Sequence, residues 1–283
     1  MKKPKLGQNF LVDDAARHAI ANALGAVGDR TVIEIGPGHG AITSVLADRC
    51  RSLIAIEVDR ALAAELRFRF RAQPHVEIVE ADVLAVDLAA LTPPGETADV
   101  LGNLPYYITS QILFKLAASH ASIDRAVLMV QREVADRVTS DPGSRDYGLL
   151  SVTVQMYGPT QNLFTLPPSA FTPPPDVHST VFRWRFAPRF VELDLEEVSF
   201  TRFLRTVFAQ KRKTLANNLR AASIPAPAIT AALERAQISP QARAEALSVE
   251  ALASLWHGLN AEKAASFDET ASPLFLDPNS DSH

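Results

Sequence analysis

The stretch T-V-I-E-I-G-P-G-H-G-A, Thr31 to Ala41, decides the fold. A short run of β-branched residues stops at three glycines within five positions, Gly36, Gly38 and Gly40. That pattern predicts a buried strand turning sharply into a helix, here running to about Arg49. The next apolar run, Leu53 to Val58, holds Glu57 near its end, about twenty residues past the glycines. Gly36, Gly38 and Ala41 satisfy G-x-G-x-x-G/A, and Glu57 stands where an acid for ribose hydroxyls would follow it. A nicotinamide dinucleotide fits these residues.

S-adenosylmethionine fits them too. It carries the same adenosine and ribose hydroxyls without a pyrophosphate, so glycines would serve it by close backbone approach rather than as a phosphate cradle. The glycines alone do not choose. Val76 to Glu80 reads as a third strand followed by Ala81-Asp82, and a fourth ends at Asn103. Glu34, Glu57, Asp82 and Asn103 therefore fall at or just past the ends of four successive strands. In an open parallel sheet ligands bind outside the carboxyl ends of the strands, near the switch point, so the four residues point to one shared site. Asp82 fits two roles, acceptor for an adenine amine and helix cap for Val83 onward, and these are compatible.

The fourth strand closes as D-V-L-G-N-L-P-Y-Y, Asp99 to Tyr107. Asn103 carries an amide donor and a carbonyl acceptor on one side chain. Pro105 fixes its own φ and pushes Leu104 out of the helical region, leaving the Leu104 carbonyl outside helix hydrogen bonding. Tyr106 adds a flat ring. Two acceptors beside a ring describe a socket for a planar amine such as adenine N6, whose lone pair would be drawn back onto nitrogen. A strand-to-helix turn with proline at the first helical position is the plainer reading of the same residues.

The chain has 283 residues, 47% of them apolar, enough for one large domain and a small one. No apolar run approaches the ~20 residues of a membrane span, and the lysine-rich start leads into polar residues, so a soluble cytoplasmic protein is expected. Cys50 is the single cysteine, which excludes a disulfide framework or thiolate cage, and the histidines show no ligand spacing, so no metal is expected. Net charge is −4, all of it attributable to residues 261–283, with five acids against Lys263; the rest holds 27 cations and 27 acids. A neutral body can still gather its cations on one face.

Lys2, Lys3 and Lys5 fit either a phosphate contact or a solvated terminus. Asp13 or Asp14 can cap a helix to about Ala26. After the tyrosines the expected order is a helix from Thr109 to about Ser119, a strand from Ala126 to Gln131, a helix from Glu133, a loop at 142–148, and strands over Ser151 to Tyr157 and Ser179 to Phe186. The proline-rich stretch 167–177 would be stiffened toward polyproline geometry and hold Phe171 outward. Beyond a boundary near 187–194 the pattern is helical only. Phe200 to Arg220 carries Arg202, Arg205, Lys211, Arg212, Lys213 and Arg220 with no acid, with a break expected near 209–211. Such a basic face suggests phosphate contacts that position RNA rather than read its bases. The acidic tail is expected to be disordered.

The tetrapeptide Asn103 to Tyr106 resembles the N-[LI]-P-Y signature of adenine N6-methyltransferases. Glu34 with G-x-G-x-G resembles the cofactor loop of Rossmann-like methyltransferases more than a dehydrogenase loop. Other matching words are G-Q-N-F-L (7–11), F-T-P-P-P-D-V (171–177), F-A-Q-K-R-K-T-L-A-N-N-L (208–219) and P-Q-A-R-A-E-A-L-S (240–248). Together these make residues 5–259 resemble the bacterial small-subunit ribosomal RNA adenine dimethyltransferases. Lys211-Arg212-Lys213 departs slightly, standing where arginine is frequent, and the tail beyond Asn260 lies outside the family core.

The resemblance implies a Rossmann-like class I α/β methyltransferase domain with a mostly parallel seven-stranded sheet (1–190), a small all-α RNA-binding domain (191–260) and a tail (261–283). It implies S-adenosyl-L-methionine as methyl donor, S-adenosyl-L-homocysteine as product, and cofactor contacts at Asn9, Leu11, Gly36, Glu57, Asp82 and Asn103. The implied catalytic residues are Asn103, Leu104, Pro105 and Tyr106, with the target base stacked between Tyr106 and Phe171. The implied substrate is a pair of adjacent adenines in the 3′-terminal hairpin loop of 16S RNA in a pre-30S particle, modified by a monomer during subunit assembly. Three other readings stay open: a DNA adenine methyltransferase, a large-subunit RNA methyltransferase, and a non-catalytic assembly factor.

Overall fold

Asp13 starts the first helix: its carboxylate accepts the Ala16 N–H at 2.9 Å, filling one of the donors that a helix start leaves open. The computed structural model describes residues 9–266. A two-residue strand, β1 (Phe10–Leu11), precedes this helix, α1 (Asp14–Ala23). The apolar runs then form β2 (Thr31–Ile35), β3 (Ser52–Glu57), β4 (Val76–Glu80) and β5 (Ala98–Asn103). Between them lie α2 (Thr43–Ala47) and α3 (Arg60–Arg69). The chain continues through α4 (Thr109–Ala118), β6 (Ile123–Gln131) and α5 (Arg132–Val138). Every residue of β2 is buried, as a strand covered on both faces requires.

The main sheet has seven strands in the order β4-β3-β2-β5-β6-β9-β7, where β7 is Thr160–Leu166 and β9 is Ser179–Arg185. The pairs among β4, β3, β2, β5 and β6 are parallel, and β9 runs antiparallel to both its neighbours. From β2 the chain winds outward through β3 and β4, then returns to β5 on the other side. The switch point therefore lies between β2 and β5, in register as Ile35 beside Gly102. A Cβ at Gly102 would stand 3.1 Å from the Ile35 carbonyl oxygen and 2.9 Å from Leu104 Cδ2, so a side chain here would have to shift both the Ile35 backbone and the Leu104 side chain.

Several expectations are corrected. Ser151 to Tyr157 is not a strand; all of it but Tyr157 belongs to helix α6 (Leu149–Met156). Its alternating Val and Thr residues read as β, yet nearly every position is buried, and a fully buried helix carries no 3.6-residue polar period. Ser151 Oγ accepts the Gly148 N–H at 3.0 Å and Val152 N–H reaches the Gly148 carbonyl at 3.0 Å, which starts the helix. The seventh strand is β7 instead, a half-exposed edge strand over residues for which the pattern suggests no element. The second correction concerns Phe171. It lies in a short strand, β8 (Phe171–Thr172), paired antiparallel with β1, Leu11 opposite Phe171. The Phe171 ring is 3% exposed and packs in the core with Leu11 and Ala170. The prolines fix the loop, but pairing with β1 turns the ring inward.

Close contacts divide the chain into two units, one containing the seven-stranded sheet and Tyr157–Pro188, the other formed by Ser140–Met156 together with the residues from Arg189 onward. Segment 140–156, expected within the first domain, thus groups with the second. In that unit α7 (Glu197–Val207) and α8 (Leu215–Ala221) are separate helices, with the basic residues 211–213 in the loop between them. Asn218 holds that loop, donating from Nδ2 to the Val207 carbonyl at 2.6 Å and the Gln210 carbonyl at 3.4 Å. α9 (Ala226–Arg235) and α10 (Val249–Ser266) pack closely at Gly258, where a Cβ would meet Ala232 at 3.2 Å. α10 continues through residues 261–266, which were expected to begin a disordered tail; A-E-K-A-A are strong helix formers. The rest of the tail and Lys2, Lys3 and Lys5 lie outside the described residues.

Candidate active site

One cleft opens at the carboxyl ends of β2, β3 and β5, with about 1240 Å³ of empty space including its mouth. Its lining brings together Asn9, Leu11, Gly36, Glu57, Asp82, Asn103, Leu104, Pro105 and Tyr106, all the site residues expected from this half of the chain except Phe171. Phe171 stands behind the wall. β8 supports β1, and the Val12 N–H donates to the Ala170 carbonyl at 2.9 Å, so the proline-rich loop backs the strip carrying Asn9 and Leu11.

The glycine loop is shaped by backbone that other residues rarely adopt. Gly38 has φ +59°, and its N–H donates to Glu57 Oε2 at 3.1 Å. Glu57 Oε1 accepts the Asp59 N–H at 2.9 Å. Each carboxylate oxygen therefore keeps lone-pair capacity for a ligand hydroxyl. Burial pushes the Glu57 carboxyl above its usual value, against these two N–H groups that favour the charged form. Glu34, 2% exposed at the foot of the same cleft, is pushed up to about 7, chiefly by burial, with Thr43 partly offsetting and Glu57 adding repulsion. Its Oε2 has no hydrogen-bond partner. Two buried carboxyls beside one cleft favour a ligand that brings positive charge and hydroxyl donors. Asp82 Oδ1 accepts the Leu84 N–H at 2.9 Å, which caps a turn where a helix from Val83 was expected, and the residue lines the cleft.

The Asn103 amide is oriented from its nitrogen end. Nδ2 donates to the Asn9 carbonyl at 3.2 Å, and because the amide is planar this commits Oδ1 to the opposite side, where it takes no donor among the described residues. Leu104 N–H donates to the Met129 carbonyl at 3.0 Å, extending the ladder one residue past β5. Pro105 then turns the chain at φ −64°, ψ 129°. The Pro105 carbonyl accepts from Ile108 N–H and Thr109 Oγ1, whereas the Leu104 carbonyl takes no donor among the described residues. Tyr106 is half-buried and its hydroxyl meets Ser179 Oγ at 2.9 Å, which fixes the ring; burial raises its pKa, so it stays protonated. Two unengaged acceptors and a fixed ring thus stand together.

Ser179, Phe10 and the Asn9 carbonyl escaped the sequence reading. Phe10 lines the cleft with its ring centroid 4.5 Å from that of His39. Nothing local marks Ser179 at the start of a strand as the partner of a tyrosine 73 residues earlier. The expected RNA contacts lie in the second unit: Arg205, Lys211, Arg212 and Lys213 are exposed and Arg202 is half-buried. Lys211 Nζ reaches the Arg145 carbonyl at 3.3 Å. Among the described residues no three His, Cys, Asp or Glu side chains group as a metal site, and no helix is long and apolar enough to cross a membrane.

A family model described as ribosomal RNA adenine dimethylase matches residues 1–260. A ribosomal RNA small subunit methyltransferase A from Acidobacterium capsulatum is 59% identical over 257 residues, 91% of each chain. A protein of the same name from Koribacter versatilis is 50% identical over 271 residues, 91% of this chain and 94% of its own. Among solved structures, a dimethyladenosine transferase from Plasmodium falciparum has the same fold, with TM-score 0.77 at 23% identity over 90% of this chain and 98% of its own. The 23S rRNA methyltransferase ErmE gives 0.67 at 28% identity over 89% and 100%.

Proposed function

We propose, from the premise that the chain belongs to the ribosomal RNA adenine dimethylase family, that it dimethylates adenine N6 in small-subunit ribosomal RNA with S-adenosyl-L-methionine. The observation that carries this is the amide oriented by Asn9, which leaves Asn103 Oδ1 beside the unengaged Leu104 carbonyl and the Tyr106 ring. When bound, the cofactor supplies an electrophilic methyl carbon on a sulfonium and departs as S-adenosyl-L-homocysteine.

The chain's own residues do the rest. Glu57 would accept from the ribose hydroxyls of the cofactor, Asp82 would accept from its adenine amine, and Asn9, Leu11 and Gly36 would line the walls around it. Asn103 Oδ1 and the Leu104 carbonyl accept hydrogen bonds from the N6–H groups of the target adenine, two before the first transfer and one before the second; Pro105 sets their spacing, and Tyr106 supports the ring. The N6 lone pair is then aligned for in-line attack. After transfer N6 carries positive charge and releases its proton to water, so no strong base is needed; orientation and desolvation supply most of the rate. Loop adenines are already partly unstacked, which lowers the cost of extruding the target.

The substrate in this reading is two adjacent adenines of the 3′-terminal hairpin loop in a pre-30S particle, and the protein acts as a cytoplasmic monomer. Arg202, Arg205, Lys211, Arg212 and Lys213 hold RNA phosphates and set its position. Large-subunit RNA is the competing substrate, given the likeness to ErmE, but the small-subunit relatives at 59% and 50% identity weigh against it. The deciding experiment offers labelled cofactor to unmodified small and large subunit particles and locates the label by mass spectrometry. Label confined to a small-subunit adenine pair is expected; label in the large subunit, or in neither, sinks the reading.

A further inference from the structure

Tyr107 is the aromatic of the N-L-P-Y-Y turn that the protein's own packing leaves unused. It lines the cleft next to Tyr106, is 59% exposed, and has no hydrogen-bond or ring partner among the described residues. Slack backbone is not the reason. Ile108 N–H donates to the Pro105 carbonyl at 3.3 Å, Thr109 Oγ1 donates to the same oxygen at 3.0 Å, and α4 begins at once. A tyrosine ring held in water on a fixed turn forgoes the burial that aromatic side chains ordinarily gain.

The geometry of the turn limits what the ring can touch. Tyr106–Ile108 is a 3₁₀ turn, so successive side chains leave it roughly 120° apart. With Tyr106 fixed by Ser179, Tyr107 cannot close on the opposite face of a base resting on Tyr106. Phe171, buried in the core, does not supply a second surface in the cleft either.

We infer that Tyr107 is a stacking platform for the unpaired base next to the target adenine. It holds one adenine of the pair at the mouth while its neighbour occupies the cup of Asn103, Leu104 and Tyr106. This rests on the adjacent-adenine substrate stated above. Each base then needs only a short exchange between neighbouring surfaces, so both can be modified before the RNA leaves. Stacking on an aromatic face tolerates any base and is worth roughly 5- to 150-fold in affinity, so the platform secures residence without choosing sequence.

The test uses the full chain, small-subunit particles lacking the modification and labelled S-adenosyl-L-methionine, with Tyr107→Ala, Tyr107→Leu and Tyr107→Phe. Leu keeps bulk and Phe keeps the ring. Expected for Ala and Leu are a KM for particles raised about tenfold and accumulation of RNA carrying one dimethylated adenine of the pair, with Phe restoring both values. Calorimetric binding of S-adenosyl-L-homocysteine reports the cofactor half of the cleft separately; should Ala lose it, the contrast between Leu and Phe decides. Parent activity on the pair together with parent-like KM and product distribution in Leu overturns the inference alone. Failure of the parent chain to label particles overturns the substrate reading, and this inference with it.

Discussion

Strand β5 carries a polar side chain near each end, and the two ends are built on opposite principles. At its amino end Asp99 is fully buried with both oxygens engaged: Oδ1 accepts from Arg30 Nη2 at 2.9 Å, and Oδ2 from Arg125 Nη2 at 2.8 Å. Arg30 also reaches Asp124 at 3.3 Å. At the carboxyl end Asn103 Oδ1, the Leu104 carbonyl and Glu34 Oε2 are left without donors among the described residues. A buried polar group costs stability unless paired, so the engaged end serves the fold and the unengaged end is kept for a ligand.

The largest expected effect lies at the open end. Asn103→Ala removes an acceptor oriented toward the developing charge and should lower kcat by about 10²–10³ while melting temperature and RNA binding persist. Undiminished transfer by this variant would take the amide out of the mechanism. At the closed end the outcome inverts. Asp99→Ala leaves two guanidiniums without their shared partner and should cost about 3 kcal/mol in denaturant unfolding, the low end for a broken buried pair because both arginines keep partial exposure. Transfer per folded molecule should stay at the parent value; a specific loss of activity without loss of stability would erase the contrast between the ends.

Glu34 sharpens the comparison through pH. With its carboxyl raised from 4.5 to about 7, the folded chain keeps a proton that the unfolded chain has released, so the stabilisation is complete below about pH 4.5 and drains away as pH rises to about 7. At ~1.4 kcal/mol per unit, the ligand-free protein should lose on the order of 2–3 kcal/mol across that window. Glu34→Gln should flatten most of this slope, leaving a residue from Glu57, which shifts in the same direction. Superimposable pH–stability curves for parent and variant would refute the assignment. The smallest effect belongs to the second unit, whose loop cations are exposed. Arg212→Ala with Lys213→Ala should weaken RNA binding and reduce the log–log salt slope by about 1–2. An unchanged slope measured by filter binding counts against a phosphate-contact role for that loop.

The strand ends were legible because their signals are local. A β-branched run stopping at glycines, or an amide before a proline and two aromatics, constrains φ and ψ within a few residues, and the family words fall on the same positions. α6 was not legible, since S-V-T-V-Q-M-Y alternates like a strand and only burial on all sides makes it a helix. The inward turn of Phe171 depends on pairing with Leu11 across 160 residues, and the proline-rich loop around it gives no hint of that partner.

By itself, then, the sequence determined the parallel sheet, the order of its site-bearing strand ends and the signature at Asn103 to Tyr106. Only the tertiary structure decided which atoms stay open for a ligand: the Asn9 carbonyl orients the Asn103 amide, Ser179 fixes Tyr106, and β1 draws Phe171 out of the cleft. The physical reason is that backbone preference acts over a few residues, whereas satisfaction of a polar atom or burial of a ring is settled by whichever distant segment folding brings against it.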